Sequence, residues 1–289
     1  MERDTLRTRG AGEPNIRPHE TTNRTGPVEY WAEKAWWITA LPLILLITVP
    51  ILMLFTRTSI QELVAHLGLK TVLQAIGVSF RTTLVSVGLI LLLGTPLAYL
   101  MGRHQFRYKK VLDAIIDLPL VLPPSVAGLA LLITLGRRGS IGGWLEGFGI
   151  EIAFSTVAVV IAQIFIAAPF YVRSASLGFA AVDGEVEQAA RMDGASRWQI
   201  FRFLLLPLSR FAILSGIMMS WARALGEFGA TMIFAGNFPG RTQTMPTAIY
   251  LGFERDLESA LTLSVILVVI SFFSLLVIKV LVSRENNRV

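Results

Sequence analysis

Apolar residues are grouped along this chain into long blocks that polar segments separate. Six of the blocks hold about 20 residues or more, which is enough for a helix to cross roughly 30 Å of hydrocarbon. They lie at residues 36–55, 82–101, 111–135, 152–172, 212–234 and 260–282. The pattern predicts an all-α, polytopic membrane protein with six transmembrane helices.

The third apolar block is interrupted by prolines. Its stretch DLPLVLPPSVAG contains Pro119, Pro123 and Pro124, and proline removes a backbone donor and bends or breaks a helix. We therefore expect a broken or kinked span. Non-helical backbone at membrane depth is tolerated only against protein or beside water. The break either borders a pathway or is a bend packed against other helices, and both interpretations stay open.

The longest polar interruption, at about residues 183–206, carries the signals of two short helices. Asp183 can cap a helix start, and Gly194 tolerates the positive φ that often ends a helix. Ser196 and Gln199 then form a capping-box pattern for a second helix. We predict a helix, a tight glycine turn and a helix. The alternative is one amphipathic helix lying on the membrane surface.

The remaining polar segments divide the chain into a tail and one membrane domain. Residues 1–34 are polar and rich in Arg, Glu, Thr, Gly and Pro, a composition typical of a disordered tail, here cytoplasmic. Residues 35–289 form the membrane domain, without a visible repeat or linker. We place residues 58–77 outside the membrane and interpret residues 136–149 as an exposed glycine-rich loop.

Basic residues are distributed unequally between the two sets of loops. If the N-terminus is inside, the loops on its side of the membrane carry 18 Lys and Arg residues, and the opposite loops carry six. Positive charge favours the cytoplasmic side. The distribution predicts that both termini and the segment at 183–206 are cytoplasmic.

Composition excludes several other classes of protein. Only 16% of the residues are charged, against about 25% in a soluble domain. The net charge of +6 does not indicate nucleic-acid binding, because the basic residues cluster at the ends of apolar blocks. Cysteine is absent, and His19, His66 and His104 lack metal-ligand spacing. We expect no metal and no cofactor.

An intramembrane enzyme is a less favoured alternative. It would need a nucleophile with a base, or a metal pair, at membrane depth. The apolar blocks contain Ser and Thr but no His. This composition argues against an intramembrane enzyme.

The segment at 183–206 resembles a motif of ABC-transporter importer permeases. Gln188-Ala189-Ala190, then Gly194, then Leu206-Pro207 match the EAA signature in spacing, with Gln at the position that is normally Glu. In that family the short cytoplasmic helix docks into a groove on the ATPase subunit. The resemblance implies that the ATPase-coupling helix here consists of Glu187, Gln188, Ala189, Ala190, Gly194 and Ala195.

The wider region at 70–282 resembles the oxyanion branch of these permeases, most closely the molybdate permeases. The similarity rests on DLPLVLPPSVAGLALL, LGRRGSIG and ARALGEFGATMIFAGNFPGRTQTMPTAIY. It implies the type I importer permease fold in the plasma (inner) membrane of a bacterium or archaeon. Tungstate and sulfate permeases look similar and remain alternatives. A channel or ion-coupled transporter would need no ATPase-docking helix, so the motif argues against it.

The resemblance also implies a set of partners. Two permease copies, as a homodimer, line one pathway in the lipid bilayer, whereas sulfate systems resemble heterodimers. Cytoplasmic ABC ATPase subunits hydrolyse ATP, and a periplasmic or lipoprotein binding protein delivers the anion. Arg137, Arg138 and Arg241 lie in the outer loops, where they are candidates for docking that binding protein through its acidic groups.

Two ionisable residues, Arg223 and Glu227, lie near the middle of the fifth apolar block. Their spacing of four places them on one face of a predicted helix. Charged groups at membrane depth are costly and are usually paired or mark a pathway. The favoured interpretation is a structural ion pair. In the other, Arg223 adds positive potential that helps a divalent anion through the pore.

Overall fold

The computed structural model describes residues 27–286. The tail predicted at residues 1–34 therefore lies largely outside the described residues and stays a prediction. Within residues 27–286 helix is the only regular secondary structure, which confirms the all-α prediction. The chain divides into two units, residues 1–50 and residues 51–289.

Helix α1, Pro27–Thr56, makes up the described part of the first unit and runs on into the second. It contains Pro42 and Pro50, and its stretch Lys34–Thr56 is apolar and long enough to cross a membrane. Prolines are tolerated inside membrane helices more readily than inside soluble ones. The first predicted span is confirmed.

The helices of the second unit follow one another with short connections. They are α2 (Ile60–Leu67), α3 (Lys70–Arg103), α4 (Lys109–Val121), α5 (Pro124–Leu135), α6 (Gly142–Glu146), α7 (Thr156–Ala181), α8 (Gly184–Met192), α9 (Arg197–Ile200), a π-helical stretch (Phe201–Leu205), α10 (Leu206–Leu208), α11 (Arg210–Leu225), α12 (Gly229–Phe234), α13 (Met245–Arg255) and α14 (Leu257–Asn286).

Helix α7 is the centre of the second unit. Helices α3 and α11 pack along it, and α4, α5 and α12 contact it as well. Its buried side chains Tyr171 and Phe179 belong to the cluster that joins it to α3 and α11. Gly102 of α3 allows close approach, since a Cβ there would stand 2.6 Å from the carbonyl oxygen of Ser176. Small residues serve this purpose widely in membrane helices.

The helix lengths confirm the membrane class and revise two predicted boundaries. Four described helices are long and apolar enough to cross a membrane, and two bent pairs raise the number to six if each pair is one span. Helix α3 begins at Lys70 rather than near residue 82, and α7 continues to Ala181. At 1.5 Å per residue α3 is about 51 Å long, so it extends beyond the hydrocarbon.

The predicted break in the third span is confirmed. The chain bends by 113° between helices α4 and α5, at Leu122 and Pro123. The fifth span, in contrast, was wrongly predicted as continuous over residues 212–234. Its helix α11 ends at Leu225, and α12 begins only at Gly229. The helical stretch Arg197–Leu208 that precedes α11 is bent from it by 72°.

Small residues bring α5 and α12 into close contact. A Cβ on Gly128 would stand 2.8 Å from the Cα of Ala230, and a Cβ on Gly229 would stand 2.7 Å from the Cβ of Pro124. The stretches LPPSVAG and GEFGA, which are far apart in sequence, therefore pack against each other.

Candidate functional site

The predicted pair of short helices forms at residues 183–200. The side chain of Asp183 caps α8 by accepting a hydrogen bond of 2.9 Å from the backbone nitrogen of Glu185. Ser196 and Gln199 form the predicted capping box at the start of α9. The local prediction is confirmed at both helix starts.

The turn between the two helices depends on Gly194, which has a φ of +84°. Its backbone nitrogen donates to the carbonyl of Arg191 at 3.1 Å, and Ala195 donates to the carbonyl of Ala190 at 3.0 Å. These two bonds close the end of α8 as a Schellman motif. A residue with a Cβ would be strained in the left-handed conformation that Gly194 adopts.

Glu187 fixes α8 to the rest of the second unit. Its carboxylate is paired with Arg103 at the end of α3, and its other oxygen accepts a hydrogen bond of 2.6 Å from Arg191. Arg103 also donates to the carbonyl of Val182 at 2.7 Å, just past the end of α7. One guanidinium therefore links α3, α7 and α8.

The two arginines keep the Glu187 carboxylate ionised, although only 8% of the residue is exposed. Burial raises the pKa of this carboxyl, but the hydrogen bonds from Arg103 and Arg191 lower it, and the resulting pKa lies below its ordinary value of 4.5. At neutral pH Glu187 is an anion held between two cations.

The opposite side of α8 is exposed. Gln188 and Ala189 face outward, and so do the apolar side chains of Val186 and Met192, the latter 84% exposed. Because Glu187 is turned inward, Gln188 occupies the outward position at the start of the EAA-like motif. Residues 186, 189 and 192 are spaced three apart and form an apolar strip on one face of a helix.

Arg223 and Glu227 are paired, but not along one helix face as predicted, because α11 ends between them at Leu225. Arg223 Nη1 lies 2.9 Å from Glu227 Oε2, and Glu227 is only 1% exposed. The other carboxylate oxygen accepts a hydrogen bond of 2.8 Å from the backbone nitrogen of Ala230, in the first turn of α12. A carboxylate is favourable at a helix N-terminus, so Glu227 joins α11 to α12.

The three loop arginines predicted to dock a binding protein line one cavity. Arg137, Arg138 and Arg241 surround a space of about 600 Å³ between the α5–α7 connection and the segment that precedes α13. Glu151 neutralises Arg137 at 2.5 Å, and this contact holds the pKa of the Glu151 carboxyl below its usual range. The structure records no side-chain hydrogen bond or ion pair for Arg138 or Arg241 within its described residues. The cavity therefore carries excess positive charge.

A cluster of Arg173, Asp113 and Asp117 was not predicted from the sequence. Arg173 of α7 donates hydrogen bonds of 2.6 Å to Asp113 and to Asp117 on α4. The two aspartates are four residues apart and share a helix face. This spacing was the only sequence signal that indicated the cluster. Their partner lies more than 50 residues away in sequence, so only the packing of α4 against α7 reveals it. Among residues 27–286, no group of three His, Asp or Glu residues is placed to hold a metal ion.

A family model described as "Binding-protein-dependent transport system inner membrane component" matches residues 94–287. The chain belongs to this family. The match includes the helices α4 to α14 and therefore the whole segment at 183–206. Family membership confirms that the chain is a multi-pass membrane permease.

Relatives of this permease have names that refer to molybdenum or sulfate transport. The "Molybdenum transport system permease protein ModB" of Escherichia coli (strain K12) is 41% identical over 218 residues, which cover 74% of this chain and 95% of that protein. The "Putative molybdenum transport system permease protein YvgM" of Bacillus subtilis is 42% identical over 203 residues, covering 70% and 89%. The "Probable sulfate transport system permease protein cysT" of Anthoceros angustus is 34% identical over 248 residues, covering 84% and 86%.

Solved structures share the fold. A bacterial ABC transporter involved in the import of alginate superposes with a TM-score of 0.62 at 16% identity, over 91% of this chain and 99% of that chain. The MetNI methionine ABC transporter superposes with a TM-score of 0.57 at 17% identity, over 74% and 95%. These similarities confirm the fold of an ABC importer permease.

Proposed function

We propose that this permease is the membrane subunit of an ATP-driven importer for an oxyanion, with molybdate as its substrate. Identity above 40% to two permeases named for molybdenum transport carries the proposal. The anion crosses between two copies of the permease, and ATP hydrolysis takes place on separate ATPase subunits.

In this proposal the exposed face of α8 is the ATPase-docking surface. Val186, Ala189 and Met192 present an apolar strip that suits a groove on a partner, as amphipathic helices commonly do. Gly194 holds the helix end in place. Through Glu187 and Arg103, a displacement of the docked helix is transmitted to α3 and α7. The ATPase thus acts on two of the spanning helices.

The permease lies in the plasma membrane of a bacterium or archaeon, with both termini and α8 in the cytoplasm. The distribution of Lys and Arg between the two sets of loops supports this orientation. Consequently the arginine-lined cavity formed by Arg137, Arg138 and Arg241 faces outward, where a binding protein arrives.

The arginine-lined cavity attracts acidic groups on the binding protein. Charges at the rim of an interface mainly raise the association rate, and salt screens them. We expect Arg138→Gln and Arg241→Gln each to slow association several-fold at low salt and less at high salt. Arg255→Gln is the matched control, because it removes an outer-loop charge that does not line the cavity. An equal effect of all three substitutions on the association rate would contradict this role.

ATPase activity in proteoliposomes tests the proposed function. The permease and its ATPase subunits are reconstituted, and the binding protein is added after loading with molybdate, tungstate or sulfate in turn. We expect molybdate-loaded binding protein to stimulate ATP hydrolysis most. Stimulation by sulfate alone would favour the sulfate alternative. An assembled complex that none of the three anions stimulates would refute the oxyanion assignment.

A further inference from the structure

Two clefts adjoin at the end of α3 and share the residues Tyr99, His104 and Arg197. One is an apolar cleft of about 400 Å³, and the other is a basic cleft of about 450 Å³. The basic cleft includes Glu187 and Gln188 of α8, but neither cleft includes the apolar strip at residues 186, 189 and 192 or the arginine-lined cavity. Together the two clefts form one groove with an apolar end and a cationic end.

The apolar cleft is bounded by a spanning helix and by an aromatic cluster. Pro96 and Leu100 of α3 form one wall, and Trp198 and Phe201 form the other. The Trp198 and Phe201 rings are stacked with centroids 5.6 Å apart. Leu100 and Trp198 are exposed, so the cleft presents open apolar surface beside a membrane-spanning helix. Tryptophan is enriched where a protein meets the membrane–water interface.

The basic cleft carries more positive than negative charge. Arg103 and Arg191 share the single carboxylate of Glu187. The guanidinium of Arg197, which lies at the junction of the two clefts, makes no hydrogen bond or ion pair within the part of the chain that the structure describes. The cleft therefore lacks an anion at the point where it meets the apolar cleft.

We propose that these clefts bind one anionic phospholipid, with an acyl chain in the apolar cleft and the phosphate at Arg197. A free oxyanion would leave Trp198 and Leu100 uncovered, and a neutral lipid would leave the excess charge of the basic cleft unmatched. Basic pockets beside spanning helices are suited to anionic headgroups. The bound lipid would join α3 to α9, next to Glu187 and its two partners Arg103 and Arg191.

Native mass spectrometry of the delipidated full-length chain tests the lipid site. Phosphatidylglycerol and phosphatidylcholine with identical acyl chains are added in equal amounts, and the lipid retained by each variant is counted. We expect wild-type protein to retain phosphatidylglycerol preferentially, and Arg197→Gln to lose about fivefold of that preference, the usual effect of one basic residue near a lipid surface. Arg197→Lys should restore most of it, and Trp198→Ala should weaken retention of both lipids.

Arg107→Gln is the matched control, since it removes an exposed arginine of the neighbouring loop that lines neither cleft. Equal retention of the two lipids by the wild type would overturn the proposal, as would an equal loss in Arg107→Gln and Arg197→Gln. Displacement of the lipid by glycerol phosphate at matched concentration would assign the site to free phosphate. Displacement of the lipid by the ATPase subunit would show that the two clefts bind the ATPase and would overturn the lipid site. None of these outcomes depends on which anion is transported.

Discussion

Glu187 shows how one side chain can hold a short helix in place. Replacing it by Gln keeps the shape but removes the charge that Arg103 and Arg191 share. We expect Glu187→Gln to lower the free energy of unfolding by about 1.5–3 kcal/mol at neutral pH, the range for hydrogen bonds to a charged group. Thermal unfolding of the purified protein measures the difference.

The effect of Glu187→Gln should depend on pH. Because the folded protein lowers the pKa of this carboxyl, its contribution is complete above the ordinary value and is lost as the pH falls through the lowered pKa. The gap between wild type and variant should therefore close in acid. Glu185→Gln is the control, an exposed glutamate on the same helix. A gap that stays constant down to low pH would show that charge is not the cause.

Substitutions of Arg223 and Glu227 distinguish a structural ion pair from a role in the anion pathway. Arg223→Met leaves a carboxylate buried without its cation, a change that costs about 3–5 kcal/mol in other proteins. We expect the double variant Arg223→Met/Glu227→Gln to recover most of the stability, because Gln can still accept the hydrogen bond from Ala230. Its anion uptake should be close to the wild-type rate. A stable double variant without uptake would instead place Arg223 in the pathway.

Among the helices, the packing of α3 on α7 limits side-chain size. A Cβ on Gly102 would collide with the α7 backbone, whereas a Cβ on Gly88 of the same helix meets nothing within 4 Å. We expect Gly102→Ala to destabilise the protein by about 1–3 kcal/mol, as overpacking usually does. Gly88→Ala should be neutral or slightly stabilising by thermal unfolding. Equal stabilities of the two variants would contradict this account of the α3–α7 contact.

Helix ends that depend on local signals were predictable from sequence, and those that depend on distant contacts were not. Asp183, Gly194 and the Ser196 capping box marked α8 and α9 because caps and turns use neighbouring residues. The prolines likewise marked the break between α4 and α5. The end of α11 at Leu225 was missed because Glu227, which accepts the hydrogen bond from Ala230 at the start of α12, was interpreted as a partner of Arg223 on one continuous helix. The packing of α12 against α5, a distant part of the chain, accompanies this break.

The ion clusters were less predictable than the helices for the same reason. Asp113 and Asp117 were visible as charges in an apolar block, but their partner Arg173 comes from another helix. No local sequence signal marks Arg103, although it joins three elements. The three arginines of the arginine-lined cavity were named from the sequence, but their convergence appears only in the fold. Their docking role stays a prediction.

At the scale of the whole molecule, we expect the exposed face of α8 to contact the ATPase subunit. The chain contains no cysteine, so a single introduced cysteine can be labelled without further changes. Two exposed positions provide a matched pair. Met192→Cys lies on the exposed strip of α8, and Trp144→Cys lies on α6, in a loop predicted to be on the other side of the membrane.

The most direct measurement is photo-cross-linking of these two variants, each carrying a photoreactive maleimide, in membranes that contain the assembled transporter. We expect illumination to join Met192→Cys to the ATPase subunit and to leave Trp144→Cys without an ATPase adduct. An adduct at Trp144→Cys, or none at Met192→Cys in a complex that assembles, would show that the ATPase docks elsewhere and that α8 is not the coupling helix.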